Sequence, residues 1–224
     1  MKTHRHTLAP ALCLALALAL GSVPGTTAAH PPALSASAAT ALQHFAKARA
    51  GEKNAIAPAV ASFAELAGKH PEHPLYLAYQ GSAVAMQAKD ALAPWNKIRY
   101  AEHGADLLEK AVALLGPEHA APLLSEAPEA LETRLVAANT LSSLPDMFNR
   151  LPAAKRISEA LIKAPEFAAA PAPFRAQALA VAARIAGKEK RAADEASLLK
   201  QVLALDANGA AGQAASARLK ELGQ

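Results

Sequence analysis

Apolar residues in this chain recur every three to four positions, the period of an α-helix that buries one face. Ala59, Phe63 and Leu66 mark one such stripe, and Leu107, Leu108, Ala111, Val112 and Leu115 mark another. The same period returns at Leu131, Leu135 and Ala138, at Ile157, Leu161 and Ala164, at Leu198, Val202 and Leu205, and at Ala215, Leu219 and Leu222. No segment alternates apolar and polar residues long enough to suggest a strand, so the pattern predicts an all-α fold. Its punctuation falls at Gly68 to Pro74, Ala93-Pro94, Gly116-Pro117, Leu144-Pro145, Pro171 to Pro173 and Asn208-Gly209. Such close breaks predict antiparallel helices with short connections.

The first 29 residues follow a different rule. Lys2 and Arg5 precede an apolar run from Leu8 to Leu20, which gives way to small residues ending at Ala28-Ala29. That order is the order of a secretory signal peptide, with cleavage expected before His30 and a second candidate site after Ala36-Ser37-Ala38. The run is too short to span a bilayer comfortably. Residues 1–29 are therefore read as a cleaved leader and 30–224 as a single domain, with a loose Pro/Ala/Ser-rich lead from His30 to about Ala39. The expected location is the periplasm or outside the cell. Cys13, the only cysteine, lies in the leader with Leu12 before it, which argues against lipid attachment and leaves the mature chain without a thiol.

Composition refines the picture of packing. Aromatic residues make up only 4% of the chain, against an abundance of alanine. Such helices approach closely but bury little surface alone, so each needs neighbours on both sides, as in a stack of helix hairpins. Ala59, Phe63 and Pro71, followed by Leu77 and Gly81, resemble marks of the tetratricopeptide repeat, in which a small residue allows close packing between helices. Gly104, Leu108, Ala111 and Pro117 form a second partial match, and Leu199 to Asn208 resembles a repeat's closing segment. The resemblance implies a short solenoid of stacked hairpins with the last helix, from about Ala210 to Leu222, as its cap. It covers the stretch from Gly116 to Arg191 poorly, and a non-repetitive helical bundle is the alternative.

Against such a repeat, Asp90 to Tyr100 is an insertion of about eleven residues. It holds the only tryptophan, Trp95, with Lys97, Arg99 and Tyr100, and tryptophan, tyrosine and arginine concentrate binding energy at interfaces. It is expected to be a recognition loop or an extension of the second helix; the competing reading tucks Trp95 and Tyr100 into the core with Pro94 opening a helix. Tyr76 and Tyr79, three apart on the preceding helix, are candidates to complete one patch with them. A further set, Glu132, Arg134, Asn139, Asn149 and Arg150, reads as solvated surface.

Chemistry is sparse. His70, Glu72 and His73, with His103 and His119, have short metal-ligand spacings but sit at a proline-flanked turn, where polar turn roles are expected. His30, once exposed by cleavage, would add an imidazole and an α-amine able to bind copper. Gly-rich phosphate loops, nucleophile elbows and zinc-protease helices are missing from the sequence. The formal charge of +4 includes Lys2 and Arg5, so the mature chain is near neutral, with acids and bases interspersed rather than in a nucleic-acid stripe. The expectation is a non-enzymatic scaffold without cofactor, not spanning a membrane after cleavage, whose partner is another envelope protein or an extended peptide. A periplasmic ligand- or metal-handling protein is the alternative.

Overall fold

The computed structural model describes residues 35–224, so the expected leader lies outside the described residues. Nine α-helices follow one another among these residues: α1 (Ala36–Arg49), α2 (Ile56–Lys69), α3 (Pro74–Asp90), α4 (Pro94–Ala113), α5 (Glu129–Leu141), α6 (Leu151–Ile162), α7 (Ala172–Lys188), α8 (Ala192–Asp206) and α9 (Ala210–Glu221). The fold class is all-α, as the apolar period requires. The Ser35 side chain accepts a hydrogen bond from the Ala38 N–H at 3.2 Å and opens α1. Prolines occupy the first turns of α3, α4, α6 and α7, where the missing N–H has no intrahelical role to lose. One expectation needs correcting: the lead, expected to be loose from His30 to about Ala39, is helical from Ala36, because Ser35 caps an alanine run. Of the two forms expected for the Asp90–Tyr100 insertion, the extension of the second helix is present and the loop is not. Only Ala91, Leu92 and Ala93 lie outside helix there; the extra residues lengthen α3 to 17 residues and α4 to 20.

The helices pair as hairpins, α1 with α2, α3 with α4, α5 with α6 and α7 with α8. Each hairpin then packs on the next: α2 on α3, α4 on α5, α6 on α7 and α8 on α9, while α3 also meets α5, and α7 meets α9. The C-terminal α9 thus closes the α7–α8 hairpin as a cap. Gly116 to Pro128 forms a 3₁₀ turn and irregular chain before α5.

Core residues follow this stack. Phe45, Phe63, Leu66 and Leu75 fill the layer among α1, α2 and α3; Leu108, Leu131, Leu141, Leu161 and Ile185 fill the middle; Leu199, Val202 and Leu219 fill the last layer. Val136 touches the first and middle layers and Phe167 the middle and last, so the apolar interior is handed from hairpin to hairpin.

α3 and α4 approach each other closely. A Cβ on Gly81 would stand 2.9 Å from the Gly104 carbonyl oxygen, and a Cβ on Gly104 would stand 2.6 Å from both the Ala85 nitrogen and the Gly81 carbonyl oxygen. Both positions require glycine because backbone, which cannot rotate away, occupies the space.

Candidate functional site

The α3–α4 hairpin carries all six residues expected to bind, and it separates them into two groups. Tyr76 lies in the first turn of α3 and is buried, its ring edge-on to His73 with centroids 5.9 Å apart. Tyr79, one turn on, is half-buried and stacks on Phe63 at 4.8 Å while meeting Phe45 edge-on at 4.9 Å. Trp95 stands in the first turn of α4, about 20 Å along the hairpin from that root at the rise of an α-helix. Tyr76 and Tyr79 therefore belong to the core of the first layer, and the single four-aromatic patch expected from sequence does not form.

The root is also where the buried polar groups gather. The Tyr79 hydroxyl donates to Glu132 Oε1 at 2.7 Å and the Ser125 hydroxyl donates to Glu132 Oε2 at 2.6 Å. Burial holds the Glu132 carboxyl above the usual carboxylate range and the charge of Glu129 adds to that, while the two hydroxyl donors oppose it. Burial and the neighbouring Glu132 charge push the Tyr79 phenol well above its ordinary value. Glu129, also buried, accepts from His73 Nδ1 at 3.0 Å and from the Leu75 N–H at 3.3 Å, so a carboxylate from α5 satisfies the start of α3. This pairing of α3 with α5 spans more than fifty residues and left no local sequence signal.

The histidines are tied into the same root. His119 accepts the Gly116 N–H on Nδ1 at 2.9 Å and donates from Nε2 to the Glu72 carbonyl oxygen at 3.0 Å. His70 Nδ1 lies 3.3 Å from Glu72 Oε1. Among the described residues no three histidine, cysteine or acidic side chains converge as a metal site would need. His103 is exposed on α4. The Glu132-to-Arg150 set is dispersed, and the expectation of solvated surface fails at Glu132, which is buried against Tyr79 and Ser125; Asn139 accepts from Arg184 at 2.9 Å, and Arg150 pairs with Glu109 at 2.7 Å and Asp106 at 3.1 Å.

The tip is chemically the opposite. Leu92 is 97% exposed in the three-residue connection, Trp95 is 72% exposed, and Ile98, one turn further, is 39% exposed. Lys97 and Arg99 are exposed beside them, and the Arg99 guanidinium carbon sits 5.3 Å from the centre of the half-buried Tyr100 ring, a cation–π contact. Trp95 is surface, which overturns the core reading for that residue, while Tyr100 is half-buried and Pro94 opens the helix as the core reading had it. Leu92 and Ile98 were not singled out in the sequence, although Trp95 and Ile98, three apart on α4, are neighbours on its surface and Leu92 lies in the connection just before them.

A second recess lies between α4, α5 and α6, a shallow groove of about 290 Å³ floored by Val112, Ala153 and Ile157 and flanked by Glu109, Arg134 and Arg156. No helix among the described residues is long and apolar enough to cross a membrane. No protein-family model, curated protein or solved structure matches the chain.

Proposed function

We propose that this protein is an exported helical scaffold of the cell envelope, acting by docking and without chemistry or cofactor of its own. The leader-like first 29 residues support export to the periplasm or beyond, and the tetratricopeptide-like layout of stacked hairpins supports a binding role. The observation that carries the reading is the α3–α4 tip, where Leu92 and Trp95 face solvent although the fold makes its own close contact at Gly81 and Gly104. Large apolar side chains left in solvent, ringed by polar ones, mark interaction sites. A segment of another envelope protein, or an extended peptide, fits the groove between α4, α5 and α6, whose apolar floor and charges of both signs suit a polypeptide. The tip attaches the scaffold to the envelope.

Cell fractionation of the full chain tests this. Wild type is expected in the envelope fraction, with an intact mass that begins at His30 or within about ten residues of it. The Trp95→Ala/Arg99→Ala variant is expected to associate more weakly by roughly 2 kcal/mol, at an unchanged unfolding midpoint. Envelope retention of the folded double variant would move docking away from the tip, and uncleaved chain in the cytoplasm would overturn export.

A further inference from the structure

Resting on the docking reading, we infer that the α3–α4 tip is a membrane-interface anchor whose partner is a lipid surface rich in anionic headgroups. The shape of the tip is the first argument. Leu92 projects from a three-residue connection at the extremity of two long helices, and Trp95 and Ile98 follow it at three-residue spacing. These exposed apolar side chains gather at the turn of the hairpin, where a fluid bilayer can close around them. The apolar height of the tip also suits the purpose: Leu92 to Ile98 reaches no further than the headgroup and upper acyl region that interfacial elements enter, to a depth of about 5–10 Å.

The arrangement of charge is the second argument. Lys89 lies in the last turn of α3, while Lys97 and Arg99 stand on different sides of α4, since residues two apart on a helix are about 200° apart around its axis. Lys97 and Arg99 thus stand on different sides of the turn of α4 that carries Trp95, with Lys89 exposed near the end of α3, so their heads can reach anionic phosphates around an inserted tryptophan. Asp90 is the only carboxylate between Lys89 and Tyr100. Glu102 lies two turns above Trp95 on the same side of α4 and marks where the lipid-facing portion ends. Tryptophan itself favours the interface, with an apolar ring and one N–H donor.

Trp95 is the chain's single tryptophan, so its fluorescence reports the tip alone. The chain from His30 onward, the expected mature form, which holds every described helix and all three core layers, is mixed with phosphatidylglycerol-containing vesicles and with pure phosphatidylcholine vesicles. With phosphatidylglycerol the chain is expected to co-sediment, its emission to shift to the blue, and acyl-chain-brominated lipid to quench it, all weakening as salt rises. Lys97→Glu/Arg99→Glu, which keeps Trp95, is expected to lower the partition coefficient on the order of thirtyfold, and Leu92→Ser on the order of tenfold. Equal binding to both vesicles, or no blue shift with phosphatidylglycerol, overturns the lipid inference. If in the latter case envelope retention still depends on Trp95, the tip's partner is a protein and the docking reading survives. If retention no longer depends on Trp95, both readings fall.

Discussion

The two ends of the α3–α4 hairpin use the same scarce aromatic residues in opposite ways. At the root, Tyr76 and Tyr79 are held by Phe45, Phe63 and His73, and the Tyr79 hydroxyl satisfies a buried carboxylate from α5. At the tip, Trp95 stands in solvent with Leu92. Helix pairing cannot explain the second arrangement, because the hairpin's close approach, at Gly81 and Gly104, is already made midway between the ends. The contrast separates aromatic surface that the fold consumes from aromatic surface that it leaves over.

The largest effect should come from disturbing the midpoint on which the packed half depends. At Gly104 a new side chain meets the Ala85 nitrogen and the Gly81 carbonyl oxygen, so the helices themselves must separate. Gly104→Leu is expected to cost about 3 kcal/mol, the upper part of the usual overpacking range, even after the gain of about 1 kcal/mol that replacing a helical glycine brings on an open face. Thermal unfolding measures it, with a fall of roughly 6–12 °C for a domain of this size. A neutral or stabilising result would mean that α3 and α4 do not touch there, and the division into packed root and free tip would lose its basis.

That crossing was legible in the sequence, and the division was not. Gly81 could be read because its spacing from Phe63, Pro71 and Leu77 resembles a repeat in which a small residue lets two helices pack closely, and it does meet Gly104 on α4. The helical period and the proline breaks likewise predict the order of elements, since both are local properties of the chain. Ser35 was a legible cap that the alanine- and proline-rich composition around it obscured. By contrast, the bonds of Glu129 to His73 and of Glu132 to Tyr79 join residues more than fifty positions apart, and only the stacking of α5 on α3 brings them together. The proposed aromatic patch failed for a related reason. Spacing along one helix places Tyr76 near Tyr79, but whether Trp95 is near either depends on where the turn falls, and continued helix on both sides of Ala91-Leu92-Ala93 carried it to the far end.

Titration sharpens the root side of the comparison. Burial raises the folded-state pKa of Glu132 above its unfolded value, so the native state holds that proton more tightly than the unfolded chain does. The resulting stabilisation is fully present below the unfolded carboxylate pKa and is lost as pH rises through the folded one. Glu132→Gln keeps a neutral side chain able to accept from one hydroxyl and donate to the other. Relative to wild type, the variant is expected to gain stability as pH rises from the acidic side of the carboxylate range to neutrality. Denaturant unfolding across that range checks the sign; a difference that does not change with pH would mean that Glu132 is hydrated in the native state and that the root is less closed than its burial indicates.

The smallest expected effect on stability is at the tip, and its smallness is the point. A tryptophan packed in a core loses about 3–5 kcal/mol on truncation to alanine, because contacts vanish and a cavity remains. Trp95 is 72% exposed, so Trp95→Ala should change unfolding stability by no more than about 0.5 kcal/mol, as surface substitutions do. Pro94, which opens α4 one residue earlier, is left in place, so the helix start is not disturbed. The same substitution removes the largest apolar group of the tip and should weaken envelope association, which makes the pair of measurements decisive in combination. A loss of several kcal/mol would place Trp95 in the packed half of the hairpin and erase the contrast between its ends. A stable variant with weakened association would leave the tip as surface that the fold does not use and the partner does.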